Sequence, residues 1–204
     1  LLARRALEAP DYDALPAVPF AEPERAARAA GERTLVAFPR GMQPGTLIHT
    51  LFERVDFAAP DGPGAHALVA ETLSAFDVDA SWAPVLRAML ADVLATPLDA
   101  AGALRLGAIA PEARIAELEF LFPVDAGAPA LVAGAALPRG YMKGYIDLVF
   151  THAGRWYVLD WKSNWLGDAP EDYAAPRLAE KMRESLYDLQ YRLYCVALHR
   201  HLAA

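Results

Sequence analysis

The chain has 204 residues, 55% of them hydrophobic and 22% charged, with a formal net charge of −7 and a pI near 5.2. That size builds one domain with a core, or two small ones, and the composition is globular. It excludes a helical membrane span, because no apolar run approaches about 18 residues, and an internal disulfide or four-cysteine site, because Cys195 stands alone.

The acidic balance argues against a broad basic nucleic-acid footprint, although a site that needs local carboxylates is compatible with it. The opening LLARRALEAPDYDALP has no long apolar segment of the signal-peptide kind. The chain begins without Met and reads as a piece of a longer protein. Residues 1–40, rich in Pro, Ala and Arg, read as an extended or partly ordered lead-in, with the folded domain at 41–204. PGTLIHTLFERVDF (44–57) predicts a helix: Pro44 suits the first turn, and Ile48, Leu51, Phe52 and Val55 recur at helical spacing. GPGAHALVAETLSAF and WAPVLRAMLADVLATPL predict two more helices, and RIAELEFLFPV (114–124) a strand. YMKGYIDLVF (141–150) and RWYVLDWKS (155–163) are the clearest strands, and DYAAPRLAEKMRESLYDLQYRLYCVALHRHL predicts two closing helices. Helices, then a strand meander, then helices indicate one α/β or α+β domain.

The two clear strands are joined by THAGR. With Ala153-Gly154 as a two-residue turn, paired positions sum to 307, and Asp147 lies opposite Asp160. Alternation puts both carboxylates on one face, with Lys162 two residues on. Ile146, Leu148, Phe150, Tyr157, Leu159 and Trp161 form the other, apolar face, so burial pins the register. Directly paired Cβ atoms lie roughly 4.5–5.5 Å apart, and two ionised carboxylates that close repel. A hard divalent cation between them removes the conflict, and Lys162 beside it can hold a water for attack. A salt-bridged surface cluster without chemistry accounts for the same three charges. A glycosidase carboxylate pair about 5 Å apart is a more distant alternative, which metal dependence would separate.

Other residues are open to two readings. His49, with Glu53 one turn later, is a structural helix histidine or a ligand brought to the hairpin. Glu117 and Glu119 share a strand face, and one of them is a candidate further carboxylate. Gln190 on an apolar helix stripe braces either the core or the site. Tyr187, Tyr191 and Tyr194 read as core lining. Trp165, Arg177, Lys181 and Arg183 are candidate contacts for phosphates and bases, or scattered surface groups. Gly-rich phosphate loops are absent, so the chain has no ATP site of its own.

GYMKGYIDLVF, YVLDWKSNWLG and YDLQYRLY together closely resemble the RecB-type nuclease domain of the PD-(D/E)XK, restriction-endonuclease-like superfamily. GTLIHTLFE is similar to that family's histidine motif and AELEF to its glutamate motif; the likeness runs over about 45–204. Ile146, rather than Pro, precedes the first Asp, as is usual in the RecB branch. The resemblance implies an α/β fold with a central mixed β-sheet and a catalytic hairpin flanked by helices. It also implies a Mg²⁺ site, which Mn²⁺ or Ca²⁺ can occupy, formed by His49, Asp147, Asp160 and the Trp161 backbone carbonyl. Lys162 corresponds to the catalytic lysine, and Glu117, Gln190 and Tyr194 to supporting positions. The implied activity is cleavage of single-stranded DNA and linear double-stranded ends in double-strand break repair and recombination. Its implied setting is cytoplasmic, beside a helicase part that precedes the lead-in and RecC- and RecD-like subunits. A nuclease-like module that has lost activity and serves DNA binding or scaffolding is the alternative.

Overall fold

A computed structural model describes residues 33–124 and 139–203. The lead-in reading falls largely on residues 1–32, outside the described part. Within the rest of that stretch, a short 3-10 turn at Leu35–Ala37 leads to Phe38, which is buried edge-on against Trp82 with ring centroids 5.2 Å apart.

Helices α1 (Met42–Arg54), α2 (Pro63–Ala75) and α3 (Ala83–Ala95) form one layer. Pro44 is the third residue of α1, where a missing N–H is harmless. Leu47, Leu51 and Phe52 turn one stripe of α1 inward, against Leu68, Val69 and Leu73 of α2 and Leu86, Leu90 and Leu94 of α3. The sheet follows: β1 (Arg114–Val124), β2 (Gly140–His152) and β3 (Arg155–Leu159), in spatial order β1-β2-β3. Its described pairs are all antiparallel, where a mixed sheet was anticipated. The predicted hairpin register holds, with Leu148 opposite Leu159 and His152 opposite Arg155. Ala153 (φ 49°) and Gly154 (φ 74°) both adopt the positive φ of the hairpin turn whose twist suits the strands. Helices α4 (Ala175–Glu184) and α5 (Tyr187–Leu202) close the chain.

The sheet is covered on both sides, by the helical layer and by α5. Leu148, Phe150, Tyr157, Leu159 and Trp161 pack on the helical layer as anticipated. Ile146 does not join them; it belongs to a second cluster with Phe122, Val149, Ala197 and Leu198, formed against α5. Neighbours two apart on a regular strand share a face, so the alternation breaks between Ile146 and Leu148. The distortion has a visible partner. Glu117, opposite Asp147 in the β1–β2 register, has φ 50°, a conformation uncommon for a residue with a side chain. β3 also ends at Leu159 instead of running to Ser163. Beyond it the Trp161 N–H donates to the Asp147 carboxylate, so a side chain replaces the backbone ladder.

Candidate active site

The distorted point is where the charges meet. Ala116↔Leu148 and Leu118↔Ile146 bracket Glu117 and Asp147 on β1 and β2, and Asp160 follows Leu159 one residue beyond the end of β3; these three mutually repelling carboxylates form a row. Asp147 is 9% exposed. Its Oδ2 accepts the Trp161 N–H at 2.7 Å and faces His49 Nδ1 at 3.4 Å. Trp161 stacks on Phe52 (centroids 4.1 Å, planes 16° apart), and this contact draws α1 and its His49 to the hairpin. Asp160 Oδ2 pairs with Lys162 Nζ. Asp160 Oδ1 accepts from Gln190 Nε2 at 3.4 Å and from the Tyr194 hydroxyl at 3.3 Å, and Gln190 Nε2 also donates to the Tyr194 oxygen at 2.8 Å. The hairpin row is therefore reached by α1 at Asp147 and by α5 at Asp160.

Burial, and after it the neighbouring Asp160, push the Asp147 carboxyl above its usual range, against the Trp161 N–H, His49 and Lys162. Burial raises Glu117 as well, with Asp147 and Glu53 adding repulsion. Burial and Asp160 push the Tyr194 hydroxyl up, so it stays a donor to Asp160. These are the marks of a site with more negative charge than its own cations balance. The donor set, carboxylates with one imidazole, suits a hard divalent ion. Among the described residues, however, no three His, Cys, Asp or Glu side chains are arranged to hold one as they stand. Asp160 is turned to Lys162 and α5, and Asp147 to the Trp161 N–H, so loading an ion requires small side-chain rotations.

Other candidates divide clearly. Glu119 is exposed and paired with Lys143 at 2.7 Å, so Glu117 alone of the two glutamates faces the site. Trp165 is 45% exposed beyond the hairpin, its indole N–H on Asp168 at 3.3 Å. Arg177, Lys181 and Arg183 lie on α4, and among the described residues their side chains make no hydrogen bond or ion pair. Tyr194 packs against the α5-side core cluster, as the core-lining reading expects, whereas Tyr191 is exposed. Tyr187, Tyr191 and Tyr194 line a cavity of about 160 Å³ with Asp160, Lys162, Met182 and Gln190. The Lys162 ammonium sits 4.4 Å above the Tyr187 ring, whose hydroxyl donates to Asn164 Oδ1 at 2.9 Å. The family resemblance had already placed Gln190 and Tyr194 at the site but not Tyr187, although Tyr187, Gln190 and Tyr194 fall on one helical face at i, i+3, i+7.

The model of the PD-(D/E)XK nuclease superfamily matches residues 24–204. The chain belongs to this superfamily. PD-(D/E)XK nucleases generally depend on a divalent metal, in keeping with the carboxylate row. The chain is 39% identical over 184 residues to the "RecBCD enzyme subunit RecB" of Escherichia coli K12, covering 81% of this chain and 15% of that protein. It is 32% identical over 210 residues to the Haemophilus influenzae subunit (96% and 17%) and 35% over 208 residues to that of Mycobacterium tuberculosis (82% and 19%). The chain thus spans less than a fifth of the length of these relatives. A RecB-related PD-(D/E)XK nuclease domain accounts for all five motifs. Among the described residues no helix is long and apolar enough to cross a membrane.

Proposed function

We propose that this domain is a Mg²⁺-dependent deoxyribonuclease of the exodeoxyribonuclease V type, working within a helicase–nuclease in double-strand break repair and recombination. The observation that carries it is the row of Glu117, Asp147 and Asp160, with His49 at Asp147 and Lys162 at Asp160. His49, Asp147, Asp160 and the Trp161 carbonyl are the proposed ligands. A divalent ion bound there would polarise the scissile phosphate and lower the pKa of an attacking water. The chain's own part is orientation. The Trp161 N–H and His49 aim Asp147, while Gln190 and Tyr194 aim Asp160. Lys162, held over Tyr187, positions the water or stabilises charge growing on the phosphate oxygens. Glu117, with its raised carboxyl, supports the row. Trp165, Arg177, Lys181 and Arg183 are proposed to meet the strand beyond it.

In the same reading residues 1–40 lead from a helicase part, and 41–204 form the nuclease domain. RecC- and RecD-like subunits are its partners, by analogy with the RecBCD enzyme of its relatives, and the cytoplasm is its proposed location. Linear single- and double-stranded DNA should be cut in Mg²⁺ and left intact in EDTA. Asp160→Ala should lower kcat by on the order of 10²–10³-fold, the scale for losing one preorganised charge partner. Cleavage that persists in EDTA and in Asp160→Ala overturns the mechanism. DNA binding without any cleavage would mark an inactive module.

A further inference from the structure

Lys162 lines two cavities. Beyond the one shared with α5, it borders a larger pocket of about 400 Å³ that the mechanism leaves unused. That volume lies in the range of pockets that enclose small ligands. Its walls are Leu35, Phe38, Ile48, Phe52, Val93 and Trp161, so the floor is apolar and aromatic. Its rim carries the polar groups: Lys162, Ser163 and Asn164 from the hairpin's exit, and Arg40 and Trp165 facing them. Gly45 of α1 lets the rim close, since a Cβ there would stand 3.1 Å from Ser163 Oγ. Trp165 is held in place: the Arg40 guanidinium lies 3.8 Å from its ring centroid, and Asp168 takes its indole N–H while facing Arg40 at 3.6 Å. A half-exposed indole that lines an apolar, aromatic pocket together with Arg40 and Lys162 suits a planar aromatic ring on an anionic backbone.

We propose that this pocket takes one unstacked nucleobase of the substrate strand, next to the phosphate held at Lys162, with Trp165 as its stacking platform. Resting on the nuclease reading, it assigns that site a base subsite and a preference for single-stranded or frayed DNA. Part of the wall comes from residues 35–41, so the end of the lead-in belongs to the site. A base–aromatic contact of this kind is worth roughly 5- to 100-fold in affinity.

The test compares two probes in Ca²⁺ by fluorescence anisotropy: a single-stranded oligonucleotide, and a strand of equal length in which every nucleotide is abasic. The 204-residue chain should bind the base-bearing strand more tightly. Trp165→Ala should remove that preference and leave abasic binding unchanged, whereas Trp165→Phe should retain most of it. Val93→Phe, which fills the pocket floor and leaves Trp165 in place, should lose the preference too. A wild-type chain indifferent to bases, or a Trp165→Ala change of equal size on both strands, overturns the subsite. Cleavage in Mg²⁺ is scored separately. A base preference without cleavage keeps the subsite and sinks the nuclease reading; cleavage without base preference does the reverse.

Discussion

The two faces of the sheet are built differently. Towards α1, α2 and α3, Leu148 and Phe150 join a large contiguous core that includes the fully buried Leu47, Leu51, Val69, Leu86 and Leu90. Towards α5, the buried cluster among the described residues is Phe122, Ile146, Val149, Ala197 and Leu198. The carboxylate row lies at the boundary of the two. One body carries His49 to Asp147 through the Phe52–Trp161 stack. The other carries Gln190 and Tyr194 to Asp160. The large core supplies stability, and the small cluster supplies alignment of one carboxylate. Damage to each should therefore read out differently.

The largest effect separates the two bodies. Leu86→Ala should cost about 2–5 kcal/mol by cavity formation, seen as a lower denaturation midpoint, with kcat per folded molecule unchanged. Leu198→Ala lies in the smaller cluster and should cost less stability, yet lower kcat, because α5 then holds Asp160 loosely. Equal stability losses with no kcat change in either variant would erase the distinction.

The next effect lies at the boundary itself and has a defined sign. A carboxyl whose folded pKa is raised destabilises the fold when ionised. The penalty is absent below its unfolded value of 3.8 and complete above the raised value. Without metal, the wild type should lose stability as pH climbs through that window, while Asp147→Asn should not. At neutral pH in EDTA the variant should melt higher, by roughly 2–4 °C per kcal/mol relieved, and the gap should close in acid. Added Mg²⁺ should raise the melting point of the wild type only. A variant that melts lower at neutral pH would show that the Trp161 N–H and His49 already compensate the charge.

The smallest effect concerns the α5 side alone. Tyr194→Phe removes one hydrogen bond to the Asp160 carboxylate but keeps the ring, and a hydrogen bond to a charged group contributes about 1.5–3 kcal/mol. The expected loss is therefore on the order of tenfold in kcat with KM unchanged. A loss as large as that of Asp160→Ala would promote Tyr194 from a positioning residue to a group that touches the reacting atoms.

Much of this site was legible beforehand because hairpins are local. A two-residue turn sets the register, so the pairing of Leu148 with Leu159, one residue from Asp147 and Asp160, followed from THAGR and its flanks. The helices followed from apolar spacing and Pro positions, with ends displaced by a few residues, as at α1. Strand pattern alone left Glu117 and Glu119 open, and the family's glutamate motif chose Glu117; in the structure Glu119 is turned to Lys143 instead. The defection of Ile146 was not legible, because it looked identical in pattern to Leu148.

What the sequence by itself determined is the chemistry and its local geometry: two carboxylates and a lysine on one hairpin, in a chain with the motifs of a nuclease superfamily. Tertiary structure alone decided what surrounds them. It laid α5 against the second face of the sheet and put Tyr187 beneath the lysine. It also brought Arg40 onto Trp165 across a pocket. These contacts join residues far apart in the chain. They depend on how amphipathic faces are buried together, and no period or turn signal records which distant face a helix will cover.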